Sequence, residues 1–114
     1  MRPNQVAIAV KEFVEKEVKK IPVMLYMEGT PQSPSCLHSA LAALLLGSYK
    51  VNYEYRNVLE HRQLNQAVID ISGCPTFPQV FIMGEFIGGG GIVTKMHQWR
   101  AQENTDRSQI YFTF

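Results

Sequence analysis

Val23-Met24-Leu25-Tyr26-Met27, then Glu28-Gly29-Thr30-Pro31-Gln32-Ser33-Pro34-Ser35, then Cys36-Leu37-His38-Ser39-Ala40-Leu41 is the stretch on which the fold turns. The first five residues are a continuous apolar run of strand length, the pattern of a strand buried in the middle of a sheet. The middle segment, with Gly29-Thr30-Pro31 and Pro34, reads as a loop. Ser35 or a neighbour then caps a helix that begins at or near Cys36. That helix carries Leu37, Leu41, Leu44 and Leu45 and ends near Gly47. Strand, loop and helix follow one another with a cysteine at the last junction.

Outward from this core, residues 4–20 read as an amphipathic helix. Val6, Val10, Phe13, Val14 and Val18 recur at helical spacing, and Pro22 ends the run. Downstream, Tyr53–Asn57 reads as a second strand. Residues 61–71 read as a helix with Leu64, Ala67, Val68 and Ile71 on one face. Gln79–Met83 and Glu85–Ile87 form a hairpin about Gly84, and a helix follows from about Ile92 to Arg100. A strand, a helix and a second strand in succession imply a right-handed crossover and a parallel pair. The closing hairpin adds antiparallel strands. The expectation is an α/β domain, a four-stranded mixed sheet flanked by helices, spanning residues 1–114 as one unit. Residues 101–114, ending in Ile110-Tyr111-Phe112-Thr113-Phe114, are assigned neither to packing nor to fraying.

Composition narrows the function. The 114 residues carry 11 basic and 10 acidic side chains, a net charge of +1, which argues against a nucleic-acid binder. No apolar run approaches the roughly 20 residues of a membrane span. Two cysteines are too few for a disulfide scaffold, and structural zinc wants four ligands. The opening segment has no secretory apolar region, and its first 20 residues hold three glutamates, which argues against an organellar transit peptide. Cys36 and Cys74 are therefore expected as thiols in a reducing compartment.

Cys36 is the sharper of the two. Free backbone N–H groups and the helix dipole at a helix start favour an anion, here a thiolate. Thr76-Phe77-Pro78 stands just before the third strand. A cis proline there would expose the backbone groups of Phe77 to an extended, peptide-like ligand. Gly88-Gly89-Gly90-Gly91 precedes the last helix, and its unhindered amides suit either a plain turn or a carboxylate-binding concavity.

Together these segments resemble the monothiol glutaredoxins, the single-domain branch of the thioredoxin superfamily. The resemblance runs through Gly29-Thr30-Pro31, Pro34-x-Cys36-x-x-Ser39, Asn57-Val58-Leu59, Pro75-Thr76-Phe77-Pro78-Gln79-Val80-Phe81, Gly84-Glu85-Phe86-Ile87-Gly88-Gly89 and Met96-His97, about residues 20–98. It implies a thioredoxin/glutaredoxin fold, and a [2Fe–2S] cluster held between two protomers by one protein cysteine and one glutathione thiol each. It also implies cluster donation to iron–sulfur client proteins, a cluster-dependent homodimer with a monomeric apo form, and the mitochondrial matrix beside the cytoplasm as an address. Cys36 takes the nucleophile and metal-ligand position. Phe77 and Pro78 take the position that aligns the cysteinyl part of glutathione. Gly88 and Gly89 take the double-glycine turn, and Gly89, Gly90 and Gly91 are expected to contact the thiol cofactor through backbone.

The departures are specific. The family signature Cys-Gly-Phe-Ser is Cys36-Leu37-His38-Ser39 here. Glu28 replaces a lysine, Asn65 an arginine, Gly90-Gly91 a Cys-Asp pair, and Cys74 the tryptophan of a Trp-Pro pair. In the family, the two cations hold the glycine carboxylate of glutathione. A thiol whose carboxylate is amidated, as in trypanothione, would need neither, and Glu28 would suit an ammonium group. The alternative is drift of the subsite. His38 reads as an exposed helix residue or as a cation beside the thiol. Cys74 reads as a small replacement or as a resolving thiol. His97 and Trp99 read as packing or dipole partners. Three functions follow: cluster carriage, thiol–disulfide exchange through Cys36, or a non-catalytic interaction protein on the same fold.

Overall fold

The computed structural model describes residues 2–89. The expected helix at 92–100, the tail at 101–114, Gly90, Gly91, His97 and Trp99 lie outside the described residues. Within them the order is α1 (Pro3–Lys20), β1 (Val23–Met27), β2 (Gly29–Thr30), β3 (Ser33–Pro34), α2 (Leu37–Ser48), β4 (Glu54–Asn57), α3 (Arg62–Ser72), β5 (Gln79–Ile82) and β6 (Glu85–Gly88). The main sheet has the order β4-β1-β5-β6. β1 pairs in parallel with β4 and antiparallel with β5, and β5 pairs antiparallel with β6. This is the expected mixed sheet. The expected loop at 29–34 folds further, into the two-stranded ribbon β2–β3.

Strand alternation divides the core. Leu25 and Met27 face α2 and pack with Ala42, Ala43, Leu46, Tyr49 and Val80. Met24 and Tyr26 face α1 and α3 and pack with Val14, Val18, Ala67, Val68 and Phe81. β1 is thus buried on both faces, which is why it reads as an unbroken apolar run.

The helices correct two readings. α2 packs through Ser39, Ala42, Ala43 and Leu46, whereas Leu37 and Leu44 are 70% and 66% exposed. Its sequence is apolar on every side, so leucine spacing does not choose the face; the small alanines fit closest to the sheet. On α1, Val14 and Val18 are buried, but Phe13 is exposed. α2 also runs through Gly47 to Ser48, and the chain reverses at Lys50, with φ of 58°. Among the described residues no helix is long and apolar enough to cross a membrane.

One buried polar group ties α1 to the sheet. Glu17 on α1 is buried, pairs with Arg56 of β4 and accepts a hydrogen bond from the Tyr26 hydroxyl at 3.4 Å. Burial, then the Glu17 charge, push the Tyr26 phenol well above its ordinary value, and Arg56 offsets part of this. A phenol whose folded value exceeds its unfolded one keeps its stabilising contribution below pH about 10 and loses it as pH rises further. Tyr26→Phe is therefore expected to show a shallower loss of stability above pH about 10 than the parent protein. Urea unfolding midpoints measured across that range check it.

Candidate functional site

Register brings the sequence-predicted residues to one end of the sheet. Met27 lies opposite Asn57, Tyr26 opposite Gln79, and Val80 opposite Gly88. The segments leaving those points are Glu28–Cys36, Val58–His61, the loop ending at Pro78, and Gly88-Gly89. All four emerge from the same end.

The first segment carries the thiol. Gly29 has φ of 91°, and a Cβ there would lie 2.6 Å from the Ser33 carbonyl oxygen and the Ser35 nitrogen. Only glycine admits so tight a ribbon. The Ser35 N–H donates to the Glu28 carbonyl at 2.9 Å, which returns the chain to the sheet end. Cys36 is itself the N-cap of α2. Its backbone is extended, and its sulfur accepts from the Ser39 N–H at 3.4 Å. Ser39 is fully buried, with Oγ 3.3 Å from the Cys36 sulfur. That oxygen also accepts the Glu28 N–H at 3.0 Å. A thiol at Cys36 donates to Ser39 Oγ; a thiolate receives the hydroxyl proton instead. Cys36 is half-buried, and Leu37 and His38 beside it are exposed.

Asn57 fastens the second segment. Its Oδ1 accepts from the Gly29 N–H at 2.9 Å and the Leu59 N–H at 3.0 Å. One side chain thereby fixes the thiol loop and the start of the β4–α3 connection. In sequence Asn57 was visible only as part of Asn57-Val58-Leu59.

The Phe77–Pro78 bond is cis, as the position of Pro78 before the strand suggested. Gln79 Nε2 donates to the carbonyls of Cys74 and Thr76 at 2.8 and 3.0 Å. Cys74 and Cys36 are both free thiols. The Cys74 sulfur lies 3.5 Å from Thr76 Oγ1 and touches the glycine turn; a Cβ on Gly89 would come within 2.6 Å of it. Glu28 is half-buried at the foot of the thiol loop, and Asn65 is half-buried on α3. A cavity of about 460 Å³ lies on the α1/α3 side, lined by Val6, Val10, Phe13, Arg56 and Leu64 among others. None of the predicted site residues lines it. Among the described residues no group of three or more His, Cys, Asp or Glu side chains is arranged to hold a metal.

A thiol capping the helix after a central strand, at the same sheet end as a cis-proline loop, defines a thioredoxin-like domain. Comparison with known proteins refines this. The glutaredoxin family model matches residues 23–87. Monothiol glutaredoxin-S15, mitochondrial, of Arabidopsis thaliana is 50% identical over 90 residues, covering 79% of this chain and 53% of that protein. Glutaredoxin 4 of Haemophilus influenzae is 36% identical over 85 residues, 75% of this chain and 79% of that protein. The solution structure of a monomeric truncated mutant of Trypanosoma brucei 1-C-Grx1 superposes with a TM-score of 0.72 at 31% identity, covering 87% of this chain and 90% of that one. The chain belongs to the glutaredoxin family, among its monothiol members. It spans about half the length of the plant relatives it matches.

The hydroxyl of Ser39 is the most direct handle on the site. Ser39→Ala removes it and leaves the Glu28 N–H without its acceptor. In a Cys74→Ser background, alkylation of Cys36 by iodoacetamide at neutral pH is expected to slow about threefold to tenfold. That is the effect of losing one hydrogen bond of about 1 kcal/mol to the charged sulfur. Mass spectrometry of quenched samples gives the rate, and an unchanged rate contradicts the role.

Proposed function

We propose that this protein carries a [2Fe–2S] cluster as cargo, with Cys36 as its protein ligand and a glutathione-type thiol as the second ligand from each of two protomers. The observation that supports this most is the Cys36 sulfur, half-exposed at the cap of α2 and hydrogen-bonded to both the N–H and the hydroxyl of Ser39, at the same sheet end as the cis-proline loop. Iron–sulfur clusters of this kind take four thiolate-type ligands. The described part of one chain offers a single thiol at that place, Cys36, and this reading takes the remaining ligands from a small thiol and a second copy. Ser39 would hydrogen-bond the ligand sulfur of Cys36 through its N–H and its hydroxyl. The backbone of Phe77, next to Pro78, would pair with the peptide-like small thiol, and Gly89 with its neighbours Gly90 and Gly91 would take the other end. A half-exposed ligand sulfur would leave the cluster within reach of iron–sulfur client proteins. The mitochondrial naming of relatives supports a mitochondrial address.

Anaerobic reconstitution with iron, sulfide and glutathione tests the reading. The expected product is a coloured dimer, seen by visible absorbance and gel filtration, that Cys36→Ser abolishes. A colourless protein that reduces glutathione mixed disulfides would favour the second reading, thiol–disulfide exchange at Cys36. There the thiolate attacks one sulfur of the mixed disulfide and the other departs as a thiolate. Neither signal would leave the non-catalytic interaction role.

Glu28 favours a refinement. Its carboxylate at the foot of the thiol loop opposes a free carboxylate on the ligand and suits an ammonium group. An amidated thiol of the trypanothione type is therefore expected to bind about tenfold more tightly than glutathione, a difference of about 1.4 kcal/mol. Isothermal calorimetry with both thiols measures it, and Glu28→Lys should reverse the order. Equal affinities in the parent protein would leave glutathione itself as the ligand.

A further inference from the structure

We infer that Gln79 is a positioning residue that presets the ligand-binding edge of the cis-proline loop. The inference rests on the reading that a glutathione-type thiol docks on that edge. Gln79 is the first residue of β5 and is fully buried. It lies opposite Tyr26, on the α1/α3 side of the sheet. From there its amide turns back under the loop that precedes it. Both protons of Nε2 are used on that loop, on the Cys74 and Thr76 carbonyls. Oε1 is buried and has no partner among the described residues. A buried amide usually satisfies both ends; here the acceptor is left over while both donors hold the loop.

The consequence concerns Phe77. Holding the carbonyls at 74 and 76 inward fixes the backbone that leads into Phe77, the residue that precedes Pro78. Among the described residues the N–H and C=O of Phe77 take no partner, so they are free to pair with an extended ligand. The same clamp sets Cys74, whose sulfur packs on Gly89. One side chain thus fixes both the strand-like edge and its contact with the glycine turn. Such preorganisation raises affinity without touching the ligand.

The test compares two reactions of Cys36 in a Cys74→Ser background. With glutathione disulfide, the thiolate attacks one sulfur, a Cys36–glutathione disulfide forms, the original S–S bond breaks and glutathione thiolate leaves. That reaction needs docking; alkylation by iodoacetamide does not. Gln79→Met keeps the length and volume of the side chain but has no donors. The ratio of the two rates is expected to fall about tenfold. A general loss of structure would move both rates together. Gln79→Glu supplies a second variant with an internal control. At neutral pH its carboxylate has no proton for the two carbonyls, and once protonated it regains one donor, so its ratio should rise as pH falls. If Gln79→Met keeps the ratio within about twofold of the parent and Gln79→Glu shows no such pH profile, the positioning role is wrong. If instead the parent protein shows no preference for glutathione disulfide over 2-hydroxyethyl disulfide, relative to iodoacetamide, the docking reading itself fails.

Discussion

Two backbone N–H groups at the end of a buried strand, those of Glu28 and Gly29, have no partner within the main sheet, and the site is organised around the side chains that accept them. β1 is covered on both faces, paired with β5 up to Tyr26 and with β4 up to Met27. Beyond that point the chain leaves the sheet while still partly shielded from water. A donor left there unpaired would be costly. Ser39 Oγ takes the Glu28 N–H, and Asn57 Oδ1 takes that of Gly29. The first acceptor is also the hydroxyl beside the Cys36 sulfur. The requirement to satisfy a strand end therefore positions the group that serves the thiol.

The same solution recurs around the sheet end. Asn57 and Gln79 stand at the last position of β4 and the first of β5, and each spends one functional group on two backbone partners. Side-chain amides suit this because they remain neutral and offer two lone pairs or two protons from one atom. A carboxylate at 79 or an amine at 57 would supply the wrong half of each bond. The loops of the site are thus held by neutral polar side chains rooted in the sheet, rather than by ion pairs across the surface. Between neutral groups and partly shielded from water, such bonds depend little on salt.

This explains what was legible in the sequence. The bounds of β1 could be read directly because burial on both faces leaves an unbroken apolar run, and the start of α2 could be read from turn residues followed by a cysteine. Cys36, Phe77 and Pro78 were visible for the same reason: each is a residue type with chemistry or backbone restrictions of its own. The clamping roles of Gln79 and Asn57 were not, since an amide in a strand has no signature until its cross-strand neighbours are known. The packing face of α2 was hidden by excess, because a helix with leucines on all sides has no periodicity to read. The β2–β3 ribbon reads in sequence as a plain loop because its two-residue strands are set by the positive φ of Gly29, not by an apolar pattern.

The divergent signature follows the same division. Where relatives of this type carry Cys-Gly-Phe-Ser, this chain keeps the first and last residues and changes the middle two. In the fold, Cys36 caps the helix and Ser39 is fully buried with bonds to both the sulfur and the Glu28 N–H just beyond β1, while Leu37 is 70% exposed and His38 is exposed. The retained positions carry hydrogen bonds that the strand end requires. The altered ones face outward, where a substitution leaves those bonds intact and changes only what an approaching partner meets. A bulky apolar side chain and an imidazole now flank the sulfur on its exposed side. Within this four-residue signature the two differing residues are the exposed ones, while the internal bonds that place the thiol are those the fold itself demands.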